Sequence, residues 1–185
     1  MRSLCFFLLI SLIPVAAGAA EMRMVHVEHQ GKRYVMQSEA VFDVGLEELY
    51  EVFLDYDLSP QFSSWIVEAR NLELDDGQRG YFIKNRGCLM FVCQSTVREG
   101  LVTYKPYEVI EAIADPELSD FRVSNERWTF HEENGATIVT YRLEMEPKFW
   151  VPPVIGPMVI KRKLRSSGGD ALDRIEEIAQ QRVPE

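Results

Sequence analysis

Between Ser64 and Pro147 the chain is cut into six short stretches, each closed by a turn signal. Ser64–Leu74 ends at Asp75-Asp76-Gly77, Arg79–Arg86 at Gly87, and Leu89–Leu101 at Lys105-Pro106. Tyr107–Ala114 runs into a longer loop, Asp115–Ser124, and Asn125–His131 ends at Glu133-Asn134-Gly135 before Ala136–Pro147. Short strands in succession joined by tight turns make an antiparallel meander. Two further strands are expected in front, Met24–Gln30 and Arg33–Val44, split by Gln30-Gly31-Lys32. Such a sheet leaves one face in need of cover.

The cover is legible as a change of period. Leu46, Leu49, Tyr50 and Phe53 follow the i, i+3, i+4, i+7 stripe of an amphipathic helix. The next residues, Asp55 to Phe62, contain Pro60 and read as a short helix or turn. After an irregular stretch from Lys148 to Gly156, Pro157 suits a first helical turn, with Ile155 and Ile160 flanking it as a staple. Ile160, Leu164, Gly168, Ala171, Ile175 and Ile178 then keep a helical period to Gln181. This predicts one helix of about 25 residues, near 37 Å long. The expected fold is α+β, a curved antiparallel sheet of about seven strands wrapped around a long C-terminal helix. A cavity is expected between them.

The first 20 residues stand apart. Met1-Arg2-Ser3 is a positive start, Leu4 to Val15 is apolar, and Ala16-Ala17-Gly18-Ala19-Ala20 is small. That is the layout of a secretory signal peptide, and the run is too short to span a bilayer. The expected organisation is a signal peptide over 1–20 and one domain over 21–185, secreted into an extracytoplasmic space, expected to be the periplasm. The net charge of −9 argues against a nucleic-acid partner. Cys88 and Cys93 remain after cleavage. On one extended strand their Cα atoms would lie roughly 16 Å apart, beyond the reach of about 7 Å for a disulfide. Buried thiols are therefore expected, unless a bulge or turn near Gly87-Cys88 folds one cysteine back onto the other.

Two loose motifs then stand out, Asp55, Tyr56, Pro60 and Phe62 at the end of the first helix and Trp128-Thr129-Phe130 before the last turn. With the element order, they resemble the START-like superfamily, also called SRPBCC. The chain is similar to the polyketide cyclase/dehydrase and coenzyme-Q-binding-protein branch over residues 33–181. The strand before Gly31 is an addition to that pattern, and the Phe149–Met158 segment is longer than usual. The resemblance implies a helix-grip fold that binds a hydrophobic small molecule or lipid, without a cofactor and as a monomer.

No linear motif points to catalysis. GxSxG, HExxH and a glycine-rich phosphate loop are absent from the sequence. His26 and His29 fall on opposite faces of a strand, and His131 sits beside Glu132 and Glu133 at a turn, so no metal is expected. An enzyme of this superfamily would place its chemistry on cavity side chains, so a cyclase or hydrolase stays as an alternative. A protein-interaction module with a filled core is another.

The inward faces supply the site. Tyr81 and Ile83 share a face with Asn85; Leu89, Phe91 and Cys93 share one with Ser95. Glu126, Trp128 and Phe130 lie on one face of their strand; Val139, Tyr141, Leu143 and Met145 lie on one face of the last. With Leu164, Gly168 and Ala171 from the helix, these residues are expected to line the cavity or, if it is filled, the core. Apolar walls with a few polar contacts make a small-molecule pocket. An unpaired inward Glu126 would favour its neutral form and could donate to a ligand carbonyl. Gly168 costs up to about 1 kcal/mol inside a helix, which suggests room for a ligand or a close approach to the sheet. Finally, Trp150 lies near Lys161, Arg162 and Lys163. Aromatic residues beside a basic cluster suit contact with an anionic membrane surface, or else plug the end of the fold beside a solvated face.

Overall fold

The computed structural model describes residues 20–75, 77–89, 92–152, 155–166 and 169–183. The chain forms β1 (Glu21–Gln30), β2 (Arg33–Phe42), α1 (Leu46–Leu54), a 3₁₀ turn (Tyr56–Leu58) and α2 (Ser59–Phe62). It continues through β3 (Ile66–Glu73), β4 (Arg79–Leu89), β5 (Val92–Lys105), β6 (Val109–Ala114), β7 (Phe121–Glu133) and β8 (Ala136–Pro147), and ends in α3 (Ile155–Ser166) and α4 (Gly169–Gln180). All eight strands join one antiparallel sheet in the order β1-β2-β8-β7-β6-β5-β4-β3. The helix-grip expectation holds, with eight strands rather than about seven. The α1–α2 corner carries the chain from β2 to the far edge at β3, so β8 can return beside β2.

Turn chemistry sets the register where strands meet directly. Asn134 and Gly135 take positive φ between Glu133 and Ala136, which pair across β7 and β8. Two such residues are what a tight hairpin with the native strand twist requires. At Lys105–Glu108 the turn is closed by Glu108 N–H donating to Lys105 O at 3.0 Å, with Pro106 followed by Tyr107 at φ 61°. A tyrosine there is strained. It is held by its hydroxyl, which donates to Glu47 Oε1 of α1 at 2.8 Å, and by edge-on packing against Tyr50.

The terminal helical segment is described as α3, to Ser166, and α4, from Gly169; residues 167–168 of the expected long helix lie outside the described residues. The α3 segment lies against β1, while α4 packs on α1 and α2 and also reaches β1 and β2. No described helix is long and apolar enough to cross a membrane.

The turn expected at Gly87 is not there. Strand β4 runs through it, with Gly87 opposite Gln94, Cys88 opposite Cys93 and Leu89 opposite Val92. The hairpin tip therefore lies between the two cysteines. Cys93 is disulfide-bonded and exposed, which replaces the expected buried thiol. The loop expected over 115–124 is shorter, because β7 begins at Phe121. It is stitched to β5: Asp120 exchanges backbone N–H and side-chain bonds with Val97, and Ser119 Oγ bonds both the N–H and the carbonyl of Glu99.

Candidate functional site

The concave face of the sheet holds two interiors. Under α1, the rings of Tyr50, Phe53 and Phe130 meet edge-on at centroid separations of 5.3 Å for Tyr50–Phe130 and 5.5 Å for Phe53–Phe130. Beneath the first turns of α4 the sheet instead leaves a half-open cavity of about 380 Å³. Its roof is Ala171, Leu172 and Ile175; its apolar walls include Met22, Met36, Phe53, Phe121, Trp128 and Met145.

The polar part of the wall is a buried cluster. Arg98 of β5 faces across to Glu126 of β7, and its Nη1 donates to Glu126 Oε1. Their side chains are 13% and 5% exposed, so water hardly screens the pair. Tyr141 of β8 donates its hydroxyl to the same Oε1 at 2.8 Å, and its ring stacks on Trp128 at 5.1 Å. Burial works against the Arg98 charge, but Glu126, with Tyr81 and Tyr141, more than restores it and raises its pKa, so it stays a guanidinium. Burial, with Glu126 next, holds the Tyr141 hydroxyl well above its ordinary range, so it stays a neutral donor. Asn85, Ser38 and Ser63 complete the polar lining.

Behind this cluster Tyr56 stacks on Tyr81 at 5.0 Å. Both hydroxyls are buried without a hydrogen-bond partner among the described residues, as is Ser124 Oγ. Burial raises both phenol pKa values, Glu126 adding to the effect at each. The Asp55-Tyr56 motif has a structural part here. Asp55 Oδ1 accepts from Asp57 N–H at 3.2 Å and from Asn71 Nδ2 at 2.8 Å, while Asn71 Oδ1 accepts from Tyr56 N–H at 3.2 Å. This clamps the α1–α2 corner to β3 and delivers the Tyr56 ring to Tyr81.

Of the residues expected in the wall, Glu126, Trp128, Tyr141, Leu143, Met145 and Ala171 line the cavity. Tyr81, Ile83 and Phe130 do not: they are buried in the packed core, because Tyr56 and the aromatic residues of α1 fill the space in front of them. Phe91 and Gly168, and the side chain of Leu164, lie outside the described residues. Cys93 and Ser95 are exposed on the outer face of β5. Glu126 is inward and buried and does not reach water at a strand end, and its partner Arg98 makes it an acceptor and not the donor that an unpaired Glu126 would have been.

Sequence reasoning missed Arg98. Its inward direction follows from its pairing with Ile83, and the misplaced turn at Gly87 had reversed the faces of β5. Trp65 was missed because it sits between α2 and β3, outside any periodic stretch. It lines the cavity, and its ring lies where a Cβ on Gly87 would be, 2.4 Å from that position. At the surface, Trp150 is 78% and Met158 65% exposed, Arg162 is exposed and Lys161 half-buried. The Lys163 side chain lies outside the described residues. Among the described residues no group of three His, Cys, Asp or Glu side chains gathers as a metal site.

Comparison with known proteins gives this geometry a context. The family model described as "Polyketide cyclase / dehydrase and lipid transport" matches residues 43–168. A START superfamily protein from Mycobacterium smegmatis aligns at TM-score 0.59 with 20% identity, covering 80% of this chain and 99% of that one. The Zhui aromatase/cyclase from Streptomyces sp. R1128 aligns at TM-score 0.63 with 10% identity, covering 82% and 96%. Human STARD10 aligns at 0.57 with 13% identity, covering 85% and 74%. At these identities the likeness is one of fold. A search of curated protein sequences finds no match.

Proposed function

The chain belongs to the polyketide cyclase/dehydrase and lipid transport family, and we propose that it is an exported, monomeric binding or carrier protein for a hydrophobic small molecule or lipid, held in the cavity between the sheet and α4. The observation that carries this reading is the cavity itself: about 380 Å³, walled by apolar side chains around a single charged cluster. A guest that hides about 300 Å² of apolar surface there gains roughly 7 kcal/mol at about 25 cal/mol per Å². Export has two supports, the signal-like layout of residues 1–20 and the disulfide at Cys93, a bond that persists in oxidising compartments.

Native mass spectrometry of protein purified from its own envelope fraction tests the whole reading. A chain shortened by about 20 residues, with one lipid-sized adduct that organic extraction releases, is the expected result. A clean mass that acquires no adduct from added lipid extract overturns the carrier reading in favour of an interaction module.

The exposed Trp150 and Met158 beside Lys161 and Arg162 support a further part of the proposal, docking of the α3 face on an anionic membrane. Cosedimentation with phosphatidylglycerol vesicles should fall several-fold in Trp150→Ala and in Lys161→Ala/Arg162→Ala. Unchanged sedimentation in both variants removes the membrane from the proposal.

A further inference from the structure

Among the described residues lining the cavity, Arg98 and Glu126 are the charged ones, and each is committed to the other. The wall therefore carries a cation and an anion in equal number, with a neutral phenol bonded to the anion. The two charges act differently on a guest. A guanidinium is a fork of five N–H donors, and the bond to Glu126 takes Nη1. A neutral carbonyl or hydroxyl oxygen beside Arg98 gains a charge-assisted hydrogen bond. It adds no charge to a wall that is already balanced.

A carboxylate in the same place meets the opposite situation. It must leave water, and the attraction it feels from Arg98 is offset by repulsion from Glu126 at similar range. No second cation among the described lining residues compensates it. We propose that the Arg98–Glu126–Tyr141 cluster makes this cavity a site for uncharged ligands with an apolar body and one hydrogen-bond-accepting oxygen, and that Glu126 is the specificity-determining residue that excludes carboxylates and other anions. The inference rests on the carrier reading and narrows it to a ligand class.

The test is calorimetric titration of the full chain at pH 8 with two probes of similar length, 2-undecanone and decanoate. The wild-type protein should bind the ketone at least ten-fold more tightly. Glu126→Gln leaves Arg98 without its counter-charge, and the decanoate affinity relative to the ketone should rise at least ten-fold. Because an unpaired buried arginine also weakens the fold, a second measurement uses the wild type alone. Decanoic acid should enter in its neutral form, so its affinity should fall about ten-fold for each pH unit above the acid's own pKa, while that of the ketone stays level. Equal wild-type affinities at pH 8, a pH-independent decanoate affinity, or an unchanged ratio in a folded Glu126→Gln protein each overturn the inference while leaving the carrier reading standing. Binding of neither probe removes both.

Discussion

Strand β7 passes through both interiors of this molecule and shows how they differ. At its far end Phe130 points inward and meets Tyr50 and Phe53, large rings carried by α1. Four residues earlier Glu126 points inward in the same parity and meets Arg98, Tyr141 and open space. The alternation of β7 is common to both, so the strand does not decide between core and cavity. The element laid across it does. Helix α1 offers the Tyr50 ring, with Phe53 on the border between the two, whereas α4 offers the smaller Ala171, Leu172 and Ile175. A filled end and a hollow end follow from side-chain size on two helices over one continuous sheet.

Truncation and enlargement should separate the two ends most sharply. Phe130→Ala removes a buried ring from the filled end and should lower stability by about 3–5 kcal/mol, read from urea denaturation. Ala171→Leu adds volume where the cavity has room and should cost under about 1 kcal/mol, while abolishing the lipid-sized adduct in native mass spectra. If Ala171→Leu destabilises as strongly as Phe130→Ala, the hollow end is packed in solution and the comparison fails.

The polar cluster sharpens the contrast from the other side. Arg98→Met leaves Glu126 buried without its cation and should cost about 3–5 kcal/mol. Arg98→Met/Glu126→Leu removes both charges and should recover most of that loss in stability. Tyr141→Phe deletes one hydrogen bond to a charged acceptor, worth about 1.5–3 kcal/mol. Denaturation of the three proteins at one pH ranks them, and a double variant no better than the single would show that the pair does not act as a unit.

Gly87 tests the rim of the hollow end. Trp65 covers it so closely that a methyl group cannot be added without moving the indole. Gly87→Ala should cost about 1–3 kcal/mol by overpacking and shift the Trp65 emission. The same glycine explains which parts of the site could be read in advance. Within a strand the alternation is reliable, so the inward direction of Glu126, Trp128, Tyr141 and Met145 was legible. Between strands it depends on where the turn falls, because a slip of one residue exchanges the faces. Gly87 was read as a turn because glycine commonly marks one. Here its missing side chain makes room for a tryptophan 22 residues earlier in the chain, and no local pattern carries that information. The error hid Arg98 and put Cys93 inside.

The smallest effect expected at neutral pH concerns the buried phenols, and it distinguishes the ends by sign. Tyr50, in the filled end, has its pKa pushed up to about 12, by burial first and by Glu51 next, and its hydroxyl has no hydrogen-bond partner among the described residues. Its folded-state value exceeds the value near 10 of an unfolded chain, so its contribution to stability is intact below pH 10 and is lost as pH rises from there to about 12. In that window the unfolded state binds fewer protons than the folded one, and stability must fall with pH. Tyr141, in the hollow end, is also held well above its ordinary value, but its hydroxyl is bonded to Glu126. Tyr50→Phe removes an unsatisfied hydroxyl and should leave stability at pH 7 unchanged or higher by up to about 1 kcal/mol, with the alkaline midpoint moved upward. Tyr141→Phe should also remove a proton that opposes alkaline conditions, yet begin from a lower stability at pH 7. Tyrosinate absorbance at 295 nm, followed alongside far-ultraviolet circular dichroism, resolves the two cases. If the buried phenols ionise before the fold is lost, the filled end admits water, and its difference from the hollow end is one of degree.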